Sequence, residues 1–111
     1  MIKAGQIAEI LALYKKHGWI LRRVLLSDAL RVRTYHELVD LSAEGAVEFV
    51  SSEIDAAWFS RPSRGAEAWE LRRLAETPFA LFEIFGEDDP EEAREKTRQA
   101  MENKLKTSSI K

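Results

Sequence analysis

The stretch Trp19-Ile20-Leu21-Arg22-Arg23-Val24-Leu25-Leu26 decides the fold, because it is long and rich in residues that favour β-strands. Strand alternation gives each of its faces three apolar residues and one arginine. A strand that is mostly apolar on both faces belongs inside a sheet. We therefore predict a central strand over residues 19–26, in which Arg22 and Arg23 point to opposite faces and both reach a sheet edge.

The pattern Trp-x-Leu-Arg-Arg of residues 19–23 occurs again at residues 69–73, and Trp58-Phe59-Ser60-Arg61 has a similar shape. Two interpretations stay open. In one, the tryptophans are core residues of strands and the arginines pair with glutamates across strands. In the other, indole faces and guanidinium forks form a surface that binds anions or nucleotides. The cross-strand partners of the first interpretation are Glu48, Glu67, Glu70 and Glu83; the ligand-binding residues of the second are Arg61, Arg64, Arg72, Arg73, Trp58 and Trp69.

Helices are predicted at the two ends of the chain. Over residues 3–17, apolar side chains recur at helical spacing, and Gly18 suits the position after a helix because it tolerates positive φ. Asp89 and Pro90 are typical of a helix start, so a second helix should run from there to about Lys104. Its apolar stripe is thin, which predicts a place at the surface or against a partner, and residues 106–111 are expected to be a frayed tail.

Residues 27–45 leave two alternatives. Thr34-Tyr35-His36-Glu37 fits a capping box that would start a short helix ended by Gly45. Leu30 and Val32 could instead belong to a short strand that precedes this helix.

The remaining chain reads as strands and turns. Strands are predicted over residues 46–50, 54–60, 66–74 and 79–85, with a loop over residues 61–65 and a turn at Thr77-Pro78. The segment Ser52–Phe59 resembles a strand of Nudix hydrolases, which supports the second of these strands, although Ser52–Asp55 also resembles a helix start. The Nudix box itself, a glycine followed by spaced glutamates with an Arg-Glu pair, is absent.

These elements predict an α+β fold in a single domain over residues 1–111. An antiparallel sheet of four to five strands should be packed on one side by the N-terminal and C-terminal helices. The expected core residues are Ile7, Leu11, Trp19, Val24, Leu38, Phe49, Trp58, Leu71, Phe82 and Ile84.

Composition excludes several classes of protein. The 111 residues are 45% hydrophobic, contain no cysteine and carry a net charge of −2. No apolar run is long enough for a membrane helix, and disulfides and thiolate metal sites are impossible. The net charge argues against general nucleic-acid binding. We expect a cytoplasmic protein that is not a membrane protein.

The charges alternate in blocks along the chain. Residues 1–36 sum to +5 and residues 37–55 to −6, and later blocks also change sign. Such blocks suit a fold or a symmetric dimer whose segments attract one another, although each block could simply be a solvated face.

No catalytic constellation is evident. His17 and His36 lack metal-ligand spacing, and there is no Gly-x-Ser-x-Gly nucleophile motif. The acidic run Glu87–Glu92 lacks the spacing of a calcium loop and is better explained as a helix start. Glu83 lies among aromatic residues and should pair with Arg73 or Arg23.

We therefore predict no catalytic residue, no metal site and no cofactor. The leading hypothesis is a non-catalytic protein-interaction domain, which binds a protein partner or associates as a homodimer. The alternative is a small domain that binds an anion or a nucleotide. A third hypothesis is a metal-dependent hydrolase that uses Glu83 and the acidic run.

Overall fold

The computed structural model describes residues 2–41 and 47–108, and side chains only outside residues 35–41 and Ser108. Helices and strands in these ranges alternate irregularly, as expected for the α+β class, which is confirmed. They are α1 (Ala4–Lys16), β1 (Ile20–Leu26), α2 (Asp28–Leu41), β2 (Glu48–Ser51), β3 (Ala56–Ser63), β4 (Ala66–Arg73), β5 (Ala80–Gly86) and α3 (Glu91–Ser108). None of these helices is both long and apolar enough to cross a membrane.

The sheet has the strand order β2-β1-β3-β4-β5 and is mixed rather than fully antiparallel. Three of its strand pairs are antiparallel, whereas β1 and β2 are parallel, with Val24 beside Phe49. The prediction of an antiparallel sheet is wrong for this pair because a helix, α2, connects the two strands. A helical crossover returns the chain to the end of the sheet at which the first strand began.

The helices cover opposite faces of the sheet. Ile7 of α1 is buried with Val24 and Phe59, on what we call the α1 face. Leu105 of α3 is buried with Trp58 and Leu71, on what we call the α3 face. The prediction that both terminal helices lie on one side is therefore wrong. Because β1 and β3 carry apolar side chains on both faces, each face needs its own cover.

A register shift lies between Leu21 and Arg23, where β1 pairs with β3. Leu21 packs on the α1 face, whereas Arg23 reaches the carboxylates of α3 on the other side. Arg22 has no partner in the register and donates from Nε to Ser60 Oγ at 2.7 Å. Ser60 lies two residues from Trp58 along β3, on the α3 face. Both arginines therefore lie on the same face, which corrects the simple alternation predicted for this strand.

Helix α1 ends as its sequence predicts. Gly18 adopts φ +86°, and the N–H of Trp19 bonds back to Tyr14 O at 3.0 Å. This arrangement satisfies a carbonyl of the last turn and directs the chain into β1.

Helix α2 begins at Asp28, before the predicted capping box, so the strand predicted for Leu30 and Val32 is wrong. Ser27 Oγ accepts the N–H of Leu30 at 3.4 Å, and the backbone N–H of Ser27 donates to Asp55 Oδ1 at 2.6 Å. Thr34 lies inside the helix, where its hydroxyl donates to Leu30 O. Gly45, the predicted helix end, lies outside the described residues.

Strand β3 continues through Arg61 and Pro62, which were predicted to lie in a loop. The hairpin to β4 turns at Arg64 and Gly65, which both have positive φ. Pro62 is tolerated because its nitrogen faces the side of β3 where β1 would pair, and β1 begins only opposite Ser60.

The remaining elements lie close to their predicted ranges. Helix α3 continues to Ser108, beyond the predicted end at Lys104, so residues 106–108 are helical rather than frayed. Buried Leu105 anchors this last part of the helix to the sheet.

The core agrees with the prediction at most positions. Ile7, Val24, Trp58 and Leu71 are buried, and Leu11, Trp19 and Phe49 pack partly buried against the core. The side chain of Leu38 lies outside those described. Phe82 and Ile84 are wrong as core residues, because they are 53% and 50% exposed. They lie on the β5 part of the α1 face, where α1 leaves them uncovered.

Candidate functional site

The six residues predicted to bind a ligand are divided among three places. Arg61 and Arg72 lie on the α1 face, and Arg64 lies at the tip of the β3–β4 hairpin. The other three, Trp58, Trp69 and Arg73, lie on the α3 face. They therefore do not form one site, although Arg61 has an indole beside it, that of Trp19.

Helix α3 closes the tryptophans of the α3 face. Trp58 is fully buried, and its indole N–H donates to Glu102 Oε2 at 2.8 Å. The guanidinium of Arg98 lies 4.5 Å from the ring centroid of Trp69 and is itself only 3% exposed. Both indoles are therefore occupied by side chains of the chain itself.

Arg23 connects the sheet to α3 through carboxylates. Its guanidinium lies 2.7 Å from Glu48, 3.5 Å from Glu102 and 3.6 Å from Glu95. The contact with Glu48 confirms one of the predicted cross-strand pairs. Glu67, another predicted partner, instead contacts Arg94 of α3 at 3.2 Å.

The α1 face is open over β5. Phe82 and Ile84 are half-exposed there, and Phe82 meets the ring of Trp19 edge-on at 6.4 Å. Leu13 of α1 is 54% exposed and lines a cleft together with Trp19. We call the surface of Leu13, Trp19, Phe82 and Ile84 the open face. Its β5 part, Phe82 and Ile84, continues the α1-face core beyond the cover of α1.

A cleft of about 450 Å³ adjoins the open face and is called here the Trp19 cleft. The guanidinium carbon of Arg61 lies 4.6 Å from the Trp19 ring centroid, and Arg61 Nη1 donates to the carbonyl of His17 at 3.0 Å. None of the ion pairs among residues 2–41 and 47–108 involves Arg61. The lining residues are Leu13, Tyr14, His17, Trp19, Arg61 and Glu70.

Tyr14 and Glu70 bond to each other in the wall of this cleft. The phenol donates to Glu70 Oε2, and its ring stacks on Phe59 at 4.0 Å. Burial, and then the hydrogen bond and negative charge of Glu70, raise the pKa of Tyr14 well above its usual value. Near neutral pH the phenol therefore stays protonated and donates its hydrogen bond to Glu70.

The outer edge of β5 presents backbone groups to solvent. Arg73 N–H donates to Phe79 O at 2.9 Å, and in an antiparallel ladder such bonded pairs alternate along the strand. Leu81 and Glu83 therefore bond to β4, whereas Ala80, Phe82 and Ile84 direct their N–H and C=O groups outward. This outer edge bears the same residues whose side chains lie on the α1 face.

Two outward groups near the end of β5 already have partners. The N–H of Gly86 donates to Asp89 Oδ2 at 2.8 Å, and its carbonyl accepts from Arg94 Nη2 at 2.7 Å. The N–H of Ile84 makes a longer contact of 3.3 Å with the carboxylate of Glu83.

The predicted pairing of Glu83 with Arg73 or Arg23 is wrong within the chain. Glu83 is exposed, and Arg23 is held by other carboxylates. The guanidinium of Arg73 lies over the ring of Phe79 at 4.9 Å, and its Nη2 is buried without a hydrogen-bond partner. An acid and a base of the α3 face near β5 are thus left without the predicted contact.

Among the residues that the structure describes, no group of three or more histidine, aspartate or glutamate side chains could hold a metal ion. Comparisons with protein-family models, curated proteins and solved structures found no match.

Sequence reasoning missed most of the Trp19 cleft. Trp19 was assigned to the core, and Glu70 was expected to pair with an arginine. The signal for the cleft was the spacing of Tyr14, His17 and Trp19 around Gly18, because a turn there places side chains of the helix end and the strand start together. That Arg61 reaches them depends on β3 extending beyond its predicted end.

Proposed function

We propose that this chain is a non-catalytic protein-interaction domain that binds through the open face. The observation that carries the proposal is the half-exposure of Phe82 and Ile84, of which Phe82 meets the ring of Trp19 edge-on. Contiguous exposed apolar side chains on a folded domain are characteristic of interaction sites, since leaving them in water forgoes hydrophobic stabilisation. A cytoplasmic location and independence from cofactors belong to the same proposal.

The polar groups around the open face support binding rather than catalysis. Tyr14 and Glu70 bond to each other, so both groups are already engaged within the chain. Arg61, whose guanidinium lies over the ring of Trp19, offers donors to a carboxylate at the rim of an apolar patch. Aromatic residues and arginine are enriched in the energetically dominant parts of protein interfaces.

The test removes apolar area from the open face without touching the core. We expect Phe82→Ser/Ile84→Ser to abolish self-association in light scattering and to remove partners from quantitative pull-downs. The matched control is Val32→Ser, because Val32 is 83% exposed on α2, away from the open face. A wild-type chain that stays monomeric at ~100 µM and binds no protein in a manner sensitive to these changes would refute the proposal.

The second candidate function is binding of a small anion or nucleotide in the Trp19 cleft. It is favoured by Arg61, which lies against an indole and lacks a carboxylate partner among the described residues. Arg72, on the same face, could add a second positive charge. Titration of tryptophan fluorescence with nucleotides and polyphosphates tests it, with Arg61→Ala and Arg72→Ala expected to weaken the response and Arg64→Ala, at the hairpin tip, expected to preserve it.

A further inference from the structure

We propose that the partner of the open face is a second copy of this chain, joined by antiparallel pairing of β5 with β5 about a two-fold axis at Phe82. The inference rests on the proposed function and names its partner. It commits to one register, in which Phe82 lies opposite Phe82 of the partner subunit and Ala80 lies opposite the partner's Ile84.

The backbone of β5 suits this register. Ala80, Phe82 and Ile84 direct their N–H and C=O groups outward, so the two copies would exchange bonds at these three positions. The strand contains neither lysine nor proline, the residues that commonly block exposed edges. Only the 3.3 Å contact between Ile84 N–H and Glu83 must open.

The pairing of β5 with β5 also ends where the backbone has no free N–H group left to donate. Gly86 would lie opposite the partner's Pro78, which has no N–H to donate. The N–H and C=O of Gly86 are already bonded to Asp89 and Arg94. No N–H is therefore left without a partner at this end, which matters because an unpaired buried backbone donor is costly.

Charge favours this register over the one in which the two-fold axis passes through Glu83. A two-fold axis at Glu83 would place the two Glu83 carboxylates directly opposite each other, which is destabilising. With the axis at Phe82, Glu83 lies opposite the partner's Leu81, so the two Glu83 carboxylates are offset diagonally rather than directly opposite. The other diagonal neighbour of Glu83 is the partner's Phe79. Within each chain, the ring of Phe79 carries the guanidinium of Arg73, which has no ion-pair partner in the described parts of the chain. The ion pair of Glu83 with Arg73, which does not form within one chain, thus becomes possible between two chains.

The same register joins the two open faces. Phe82 and Ile84 point to the α1 face, so both copies would place these side chains side by side on one continuous sheet face. Backbone bonds would supply affinity and the adjoining apolar side chains specificity, as in other cases of strand addition.

The first experiment blocks the edge without breaking the sheet. Phe82→Pro removes an N–H that points away from β4, so the fold of the monomer should persist. Its matched control, Phe82→Ala, removes the ring but keeps the N–H. By sedimentation equilibrium we expect Phe82→Pro to raise the dimer dissociation constant about tenfold or more beyond Phe82→Ala, because both copies lose a bond. If the proline variant does not fold, Ile84→Lys tests the same edge.

The second experiment reads the register by disulfide formation, since the chain has no cysteine of its own. Leu81→Cys mixed with Glu83→Cys should cross-link under mild oxidation, because directly opposite residues lie within disulfide distance. Glu83→Cys alone should cross-link far less. The reverse result would place the axis at Glu83 and overturn the proposed register.

The outcomes separate this inference from the proposed function. A dimer that weakens as described supports both. A wild-type chain that stays monomeric, or dimerises equally well with Phe82→Pro and with Ile84→Lys, overturns the β5 pairing. If such a chain still binds another protein in a manner sensitive to Phe82→Ser/Ile84→Ser, the proposed function survives; if it binds none, both fail.

Discussion

At the scale of single residues, the contact between Trp58 and Glu102 is the most consequential polar contact of the core. The indole N–H satisfies a carboxylate that is 9% exposed and lies 3.5 Å from Arg23. We expect Trp58→Phe to lower the free energy of unfolding by about 1–3 kcal/mol, because a buried acceptor loses its donor. Urea unfolding measures this change.

The control for that prediction is the same substitution at the other paired indole. Trp69 donates to Glu67, whose side chain is 33% exposed and can turn to water. Trp69→Phe should therefore cost less than Trp58→Phe. Equal losses would mean that ring volume, not the hydrogen bond, determines the effect.

Glu95 is expected to make the stability of the fold depend on pH. Burial raises the pKa of Glu95, but the hydrogen bond from Arg98 and the charges of Arg23 and Arg98 outweigh it and hold the pKa below its usual value. A lowered pKa in the folded state stabilises the protein above the unfolded-state pKa, and this stabilisation is lost as the pH falls through the folded-state pKa. We expect Glu95→Gln to flatten the loss of stability between pH ~5 and pH ~3 in urea titrations. Glu92→Gln, on the exposed side of α3, should leave the wild-type slope unchanged.

Single residues were predictable where local chemistry decides their place. Trp58 and Leu71 are buried as their strand positions indicate, and Gly18 has the positive φ that its position after α1 requires. Phe82 has the same apolar character as Trp58 but is half-exposed. Its exposure depends on which helix crosses above it, and no local pattern contains that information.

At the scale of elements, the start of α2 distinguishes a helix capped by Ser27 from the predicted helix capped by Thr34. The structure places Ser27, not Thr34, at the helix start, and Ser27 is also bonded to Asp55. We expect Ser27→Ala to lower the unfolding free energy by about 1 kcal/mol or more, as for other helix caps. Thr34→Val should cost less, because its hydroxyl donates to a carbonyl inside the helix. Thermal unfolding of both variants measures the two losses of stability. A larger loss for Thr34→Val would support a capping box at Thr34 instead.

Strand existence was predictable, but strand ends and partners were not. The turn residues Arg64 and Gly65 follow three residues, Arg61, Pro62 and Ser63, that continue β3 beyond its predicted end. Proline normally argues against a strand because it has no N–H to donate. Pro62 is tolerated here because β1 begins only opposite Ser60, so no strand lies beside Pro62 to accept that hydrogen bond. The direction of Arg22 depends on a neighbouring strand in the same way. The register shift between β1 and β3 at this residue puts Arg22 and Arg23 on the same face.

At the scale of the whole molecule, the two-sided cover of the sheet explains why the predicted site residues separate. Successive residues of one strand face opposite sides of the sheet, so Arg72 and Arg73 cannot share a site. The sequence repeat at residues 19–23 and 69–73 therefore has no single meaning: Trp19 packs on the α1 face and Trp69 on the α3 face. Long-range pairing decides this, and a repeat of five residues does not encode it.

The same architecture predicts a pattern of amide hydrogen exchange across the molecule. β3 lies at the centre of the sheet, and its residues Ala56–Ser60 are all buried, so their amides should exchange only by global unfolding. On β5 the rates should alternate in dilute solution, because Leu81 and Glu83 donate to β4 whereas Phe82 does not.

Raising the protein concentration then tests the edge directly. If β5 pairs with β5, the amides of Ala80, Phe82 and Ile84 should slow with concentration while those of β3 change little at equal stability, a result that NMR can follow residue by residue. Slowing that spreads evenly over α1 and β5 would instead indicate association through the open face alone. In that case the side chains of Phe82 and Ile84 would hold the dimer together, and the backbone of β5 would remain in water.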